Sequence, residues 1–140
     1  MNQSSTDTDT DQSHRDTMKR FYEAIFIGDW PGVERCVVKD LVVFEAAGLP
    51  YRGQHHGTAG LQSLFAQVVG YWENLKIEPH GITAGDGYAV GLLQFSGTSK
   101  ATGKKISMLI AEVTEFRDGL IASIKPVYWD TKTLVDAMGA

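Results

Sequence analysis

Apolar residues predominate in the stretch from Ile106 to Asp130. Two runs rich in β-branched and aromatic residues there flank the polar turn Arg117-Asp118-Gly119. Each run is long enough for a strand of about ten residues, and short turns that contain Gly commonly join antiparallel strands. The pattern therefore predicts a β-hairpin, which we expect to lie at the centre of a sheet.

A period of two also covers residues 75–84 and 88–100, which precede the hairpin. The tripeptide GDG at residues 85–87 joins these two runs, and ATG at residues 101–103 joins the second run to the hairpin. Such turns connect neighbouring antiparallel strands. The second half of the chain is therefore predicted to be an antiparallel meander.

The first half of the chain instead repeats apolar residues every three or four positions, as amphipathic helices do. The elements predicted outside the meander are a helix capped by Asp16 or Thr17 and ended by Gly28, a short helix from Asp29, a strand over residues 41–45, a helix from Thr58 and a last helix over residues 131–138. Helices first and a meander last predict an α+β domain. We expect a curved antiparallel sheet wrapped around the N-terminal helices, with a conical pocket between them.

Composition and charge limit the remaining possibilities. The chain has 140 residues and a net charge of −4, which indicates one domain and argues against nucleic acid as a partner. Residues 1–15 hold no aliphatic residue after Met1, so we expect a disordered tail before a domain over residues 16–140. No apolar run is long enough for a membrane span and no secretory signal is recognisable, so we expect a cytoplasmic protein. The single cysteine, Cys36, excludes an intramolecular disulfide.

One carboxylate interrupts an apolar face of the hairpin. Because side chains alternate along a strand, Glu112 shares its face with Met108, Ile110, Thr114 and Phe116. Desolvation there would raise the pKa of Glu112 and make it a tuned acid. The alternative is a structural carboxylate paired with Lys125 or Arg52.

Six segments look like parts of one known superfamily, and they are Phe21-Tyr22-Glu23-Ala24, Gly28-Asp29-Trp30, DLVVFE at 40–45, GLPYRG at 48–53, FRDG at 116–119 and YWDT at 128–131. In this order they resemble the nuclear transport factor 2-like superfamily, and within it the SnoaL-like, ketosteroid-isomerase-like branch. The resemblance covers residues 16–138. It implies a cone-shaped cystatin-like fold, a small-molecule ligand and carboxylate chemistry without a cofactor.

The resemblance also implies roles for individual residues. In the steroid isomerases an Asp moves the proton, and Glu45 stands at that position. A protonated Asp and a Tyr form their oxyanion hole. Glu112 stands where that Asp would be, whereas the Tyr position is Phe21, so Tyr22 or Tyr51 would have to substitute. In SnoaL-type polyketide cyclases an Asp near the end of the last strand is the acid or base, and Asp130 resembles that residue. Asp130 is equally suited to cap the last helix.

The related limonene-epoxide-hydrolase branch uses an Asp-Arg-Asp set, for which Lys125 would have to replace the Arg, so an epoxide hydrolase is the weaker hypothesis. Adjacent His55 and His56 point to opposite sides of an extended chain, which argues against a metal site and leaves His56 as an acid or base at the pocket rim. The aromatic residues that we expect to line the pocket are Tyr22, Tyr51, Trp72, Tyr128 and Trp129.

Two hypotheses for the function follow. The first is an isomerase or cyclase for an apolar cyclic or polyketide-like molecule, in which Asp130 or Glu45 is the base and Glu112 donates a hydrogen bond to the enolate. The second is a non-catalytic module that binds a ligand or a second copy. Leu109, Ala111 and Val113 make the opposite face of the hairpin apolar too, which predicts a homodimer through the sheet.

Overall fold

The computed structural model describes the backbone of residues 3–140 and the side chains of residues 8–140. The elements, in chain order, are helix α1 (Gln3–Phe26), helix α2 (Trp30–Glu34), strands β1 (Val37–Glu45) and β2 (Gly53–His56), helix α3 (Gly57–Gly70), strands β3 (Trp72–Gly85), β4 (Tyr88–Ser99), β5 (Lys105–Arg117) and β6 (Leu120–Tyr128), and helix α4 (Thr131–Met138). This order confirms the predicted α+β class.

The strands form one open sheet in the order β2-β1-β6-β5-β4-β3. Strands β3 to β6 are the predicted antiparallel meander, and the β5–β6 hairpin occupies the middle of the sheet, as predicted. Strand β1 adds to it in parallel with β6, and β2 folds back on β1. Register shifts in β3–β4 and β5–β6 interrupt the ladders, and irregularities of this kind bend a sheet.

The turn between β5 and β6 follows from its sequence. Asp118 and Gly119 adopt φ values of 53° and 80°, in the left-handed region that a two-residue hairpin turn requires. Asp and Gly tolerate this region better than other residues do. The residue types at the turn therefore set the register of the central hairpin.

The core lies between the inner face of the sheet and helices α1 and α3. Fully enclosed side chains include Phe21 on α1, Leu41 on β1 and Ile121 on β6. Each such side chain contributes roughly 1.5–3 kcal/mol by leaving water. The core thereby holds α1 across the sheet.

The first helix begins earlier than predicted. Residues 3–15, expected to be a disordered tail, belong to α1, whereas Met1 and Asn2 lie outside the described residues. Near the end of this segment the His14 ring stacks on Phe116, with 3.9 Å between centroids. His14 is 7% exposed, and burial lowers its pKa while the nearby Asp11 opposes that change. The polar composition of the segment gave no sign of this docking.

Helix α4 has a defined start and end. The Asp130 side chain accepts a hydrogen bond from the Thr133 amide at 3.0 Å, which caps the first turn. Gly139 ends the helix with a φ of 75°. Thr102 donates a hydrogen bond to the Ala137 carbonyl and ties the helix to the β4–β5 turn.

Candidate functional site

A cavity of about 100 Å³ lies between the inner face of the sheet and helices α1 and α3. Among its described lining residues are six aromatic side chains, two carboxyl groups and no Lys, Arg or His. The lining residues are Phe21, Tyr22, Ile25, Phe26, Val43, Glu45, Leu61, Leu64, Phe65, Val68, Ile77, Leu93, Phe95, Ile110, Glu112, Ile124, Pro126 and Tyr128. The volume is small beside the roughly 300–1,000 Å³ of typical ligand pockets, so only a compact group fits without movement.

Glu112 projects into the cavity from the middle of β5. Its neighbours across the sheet are Gly91 on β4 and Pro126 on β6, neither of which has a polar side chain. The hydrogen bond of its side chain comes from α1, where Tyr22 Oη donates to Glu112 Oε1 at 2.8 Å. Burial raises the pKa of Glu112, and the hydrogen bond from Tyr22 opposes the rise.

Glu45 is the last residue of β1 and is 9% exposed. Tyr128 Oη, at the end of β6, donates to Glu45 Oε1 at 3.3 Å. Burial, and then the charge of Glu112, raise the pKa of Glu45 to about 8, and the hydrogen bond from Tyr128 opposes the rise. Glu45 is therefore mostly protonated at neutral pH.

The two carboxyl groups differ in the hydrogen bonds that they accept. A carboxylate is stabilised by the donors that it accepts from, and the bond to Glu112 is shorter than the bond to Glu45. A charge on Glu112 also raises the pKa of Glu45. These differences favour Glu112 as the group that ionises first, with the proton kept on Glu45 up to about pH 8.

Tyr51 extends the hydrogen-bond chain behind Glu45. Its Oη lies 3.1 Å from Tyr128 Oη. The Tyr128 hydroxyl has one hydrogen and uses it in the hydrogen bond to Glu45. The Tyr51 hydroxyl is therefore the donor in the hydrogen bond between the two tyrosines. Burial raises the pKa values of Tyr51 and Tyr128, so both hydroxyls stay protonated and act as donors.

The structure thus brings together four of the candidate residues, Glu45, Glu112, Tyr22 and Tyr128, and supports them with Tyr51. Asp130 is not among them. It is exposed, does not line the cavity and caps α4, and its bonds to the Thr133 backbone and hydroxyl lower its pKa. Strand β6 ends at Tyr128, two residues before Asp130, so the alternation of the strand no longer directs the Asp130 side chain to the inner face.

The remaining candidates also lie elsewhere. Trp129 is 80% exposed, and Trp72 is a core residue at the start of β3 that packs edge-on against Phe95. Lys125 is exposed, 4.0 Å from Glu115, because it falls on the outer side of β6. His56 is exposed immediately before α3.

Three further aromatic residues line the cavity and were not identified from the sequence, and they are Phe26 on α1, Phe65 on α3 and Phe95 on β4. A pattern of apolar residues identifies the buried side of a helix or strand, but it does not say which residue on that side faces empty space. None of the three positions carried a further signal.

Solved structures that share this architecture, a curved open sheet around N-terminal helices, are described as NTF2-like or as having a cystatin-like fold. The family model of the SnoaL-like domain matches residues 18–124, so this chain belongs to the SnoaL-like domain family. The resemblance inferred from the sequence is confirmed. No curated protein matches the chain.

Three solved structures illustrate the similarity. An NTF2-like protein of unknown function from Burkholderia pseudomallei is 21% identical with a TM-score of 0.78, and the alignment covers 91% of this chain and 98% of that one. A putative SnoaL-like polyketide cyclase from Jannaschia is 11% identical with a TM-score of 0.77, over 93% and 94% of the two chains. A hypothetical protein with a ketosteroid isomerase-like fold from Catenulispora acidiphila, in complex with trimethylamine, is 12% identical with a TM-score of 0.69, over 88% and 92%. At these identities the similarity shows the fold alone.

The described residues lack two features that would change the choice of function. None of the helices there is long and apolar enough to cross a membrane. In the same part of the chain, no three His, Cys, Asp or Glu side chains are grouped so as to hold a metal ion.

The raised pKa of Glu45 predicts a pH-dependent stability. Between the pKa of an unfolded Glu and about 8, the unfolded chain has lost this proton while the folded protein keeps it, so the free energy of unfolding falls as pH rises. We expect Glu45→Gln, which cannot ionise, to be more stable than the wild type by about 2–4 kcal/mol at about pH 9 and nearly equal at about pH 4.5. Urea unfolding at both pH values measures this. Glu73→Gln, at an exposed position on β3, is the matched control. Equal stability differences at the two pH values would contradict the burial of an acid at Glu45.

Proposed function

We propose that this protein is a cofactor-independent isomerase or cyclase, which moves a proton between two positions of a small carbonyl compound bound in the cavity. The observation that supports this most strongly is the pair of buried carboxyl groups with unequal hydrogen bonds, Tyr22 to Glu112 at 2.8 Å and Tyr128 to Glu45 at 3.3 Å. A carboxylate and a carboxylic acid facing one cavity are the two partners that general acid–base catalysis needs.

The proton transfers balance as follows. The Glu112 carboxylate removes a proton from the carbon next to the carbonyl, and the electrons of the broken C–H bond form the C=C bond of an enol. The carbonyl oxygen meanwhile accepts the proton of Glu45, directly or as a strong hydrogen bond. In an isomerase, Glu112 returns its proton to a different carbon and Glu45 recovers its own. In a cyclase, the enol carbon instead forms a bond to the carbon of a second carbonyl, whose oxygen takes the proton from Glu112, while the first oxygen returns its proton to Glu45 as its C=O bond re-forms.

These roles reverse those expected from the sequence, where Glu45 or Asp130 was the base and Glu112 the donor. Two observations favour the reversal. Glu112 has the shorter hydrogen bond, and its charge raises the pKa of Glu45. Asp130, exposed at the start of α4, lies outside the cavity lining and has no part in the proposed reaction.

The lining favours a compact, apolar substrate. Apart from the two carboxyl groups and the hydroxyls of Tyr22 and Tyr128, the described walls are hydrocarbon and aromatic. A cyclic molecule with one carbonyl, or a polyketide-like molecule with two, suits such walls. An epoxide hydrolase is disfavoured, because its water-activating set includes an Arg and none lines this cavity among the described residues.

The reaction can be detected without knowing the product, as exchange of α-protons for deuterium in a panel of cyclic enones, followed by NMR. We expect Glu112→Gln and Glu45→Gln each to lower the exchange rate by about 100-fold or more. The rate should rise as Glu112 ionises and fall above about pH 8 as Glu45 loses its proton. Glu73→Gln serves as the control. A rate that instead rises through pH 8 would assign the base to Glu45 and overturn the reversal, whereas full activity in both cavity variants would exclude the mechanism.

A non-catalytic binding module is the second candidate, and one observation favours it. The cavity holds six aromatic side chains and two carboxyl groups with no basic side chain among the described lining residues, so a small organic cation would supply the missing positive charge. The relative from Catenulispora acidiphila is in complex with trimethylamine. An ammonium ligand would also be of a size suited to about 100 Å³.

This candidate predicts that tetramethylammonium binds and that tert-butanol, a neutral molecule of similar size, does not. Affinity should increase with pH up to about 8, because the cation stabilises the ionised form of Glu45. NMR titration of the aromatic resonances measures both ligands, and Glu45→Gln should abolish the pH dependence. Equal binding of the two ligands, or none of the cation, would remove the candidate.

We also propose that the protein is a homodimer through the outer face of the sheet. Leu109 and Val127, on neighbouring strands at the centre of the sheet, are 37% and 55% exposed. Ala111 and Val113 follow Leu109 on the same face of β5, and Ala111 pairs with Val127 on β6. On the other side, their partners on β4 are Leu92 and Val90, which are apolar too. Apolar surface of this extent at the middle of a sheet is typical of an interface.

Sedimentation at micromolar concentration tests the dimer. We expect the wild type to sediment as a dimer and Val127→Asp as a monomer, since a charge would be buried without a partner at the interface. Ser63→Asp, at an exposed position on α3, is the control and should stay dimeric. A monomeric wild type would contradict the proposal.

A further inference from the structure

The inner face of β4 has a gap opposite Glu112. Ala89, Gly91, Leu93 and Phe95 alternate along this face and are all buried. Gly91 pairs directly with Glu112 across the β4–β5 ladder. The row of side chains on this face of β4 is therefore interrupted next to the carboxyl group of Glu112.

The ring of Tyr22 occupies this gap. A Cβ atom placed on Gly91 would overlap Tyr22 Oη and would lie 2.8 Å from Cζ and 2.9 Å from Cε2. All three approaches are closer than a non-bonded contact allows, so Tyr22 could not keep its position beside any other residue. The ring is 5% exposed and is near the rings of Phe21 and Phe26, whose centroids are 5.8 Å and 6.0 Å away.

The backbone gives no other reason for a glycine here. Gly91 is not among the glycines with positive φ, in contrast to the turn residues Gly87 and Gly119. A glycine within a strand weakens it, because it has no side chain to pack and more backbone freedom to lose. The close approach of Tyr22 is the feature that this position accommodates.

We propose that Gly91 is a positioning residue of the site, whose missing side chain lets the Tyr22 hydroxyl reach the Glu112 carboxyl group. This inference rests on the proposed function insofar as Glu112 is the base, but the hydrogen bond itself does not depend on turnover. Without the gap, Tyr22 would be displaced, Glu112 would lose its donor at 2.8 Å, and the preference for ionising Glu112 before Glu45 would weaken. Gly91 thereby acts on the proton transfer through Tyr22, without touching substrate.

The test is a double-mutant cycle with Gly91→Ala and Tyr22→Phe, read out as the pKa of the Glu112 carboxyl group by 13C NMR without substrate. Because the Tyr22 bond lowers that pKa, each single variant should raise it, and by the same amount. In the Tyr22→Phe background, which has no hydrogen bond to lose, Gly91→Ala should change the pKa much less than it does in the wild type. Gly81→Ala, in β3 where a Cβ meets open space, is the control and should leave the pKa unchanged.

The outcomes separate this inference from the proposed function. An unchanged pKa in Gly91→Ala, or an additive change in the double variant, would overturn the positioning role whatever the protein catalyses. A pKa that changes as expected in a protein without exchange activity would support the positioning role and contradict the enzyme proposal. If Gly91→Ala does not fold, folding of Gly91→Ala in a Tyr22→Ala background would support the role, and failure there would show that the strand itself requires Gly91.

Discussion

Two carboxyl groups that line one desolvated cavity cannot both be charged at little cost, and the arrangement of this site depends on that constraint. No described basic side chain lines the cavity to compensate a second charge. The raised pKa of Glu45 and the unequal hydrogen bonds from Tyr22 and Tyr128 favour a single proton on the pair, kept on Glu45. Charge asymmetry, which acid–base catalysis requires, thus arises from two residues of the same type.

The fold supplies the asymmetry through different elements. Glu112 lies in the middle of a central strand and receives its hydrogen bond from α1, whereas Glu45 lies at the end of β1 and receives its bond from the end of β6. Strands β1 and β6 run parallel, so their last residues, Glu45 and Tyr128, lie at the same end of the sheet. Helix α1 must cross the sheet close enough for Tyr22 to meet β4 and β5, and Gly91 provides the space. The position of α1 is therefore linked to the protonation of the site.

Much of the fold could be predicted from the sequence, because local signals determine it. The period of two and the Asp-Gly turns predicted the meander and its central hairpin, and both glutamates of the cavity were identified from the strand pattern and the family resemblance. The features that were not predicted depend on contacts between residues that are far apart in the sequence. The N-terminal extension of α1 is held where His14 stacks on Phe116, which lies about one hundred residues later in a strand.

The site was predicted only in part for the same reason. Asp130 was a candidate because it follows a strand, but the chain had already left the inner face there, and its carboxylate caps α4. The tyrosine of the oxyanion hole was left open between Tyr22 and Tyr51, since the helical pattern identifies the buried side of α1 without fixing which hydroxyl reaches β5. Gly91 carried no signal in one sequence, because its role is visible only once Tyr22 is placed beside it.

The order in which Glu112 and Glu45 ionise is the central claim, and a 13C NMR titration of the glutamate carboxyl groups tests it most directly. Glu45→Gln and Glu112→Gln would assign the two resonances. The account predicts that Glu112 loses its proton first and that Glu45 titrates near pH 8. Titration of both groups near the ordinary value for Glu, or ionisation of Glu45 before Glu112, would contradict it.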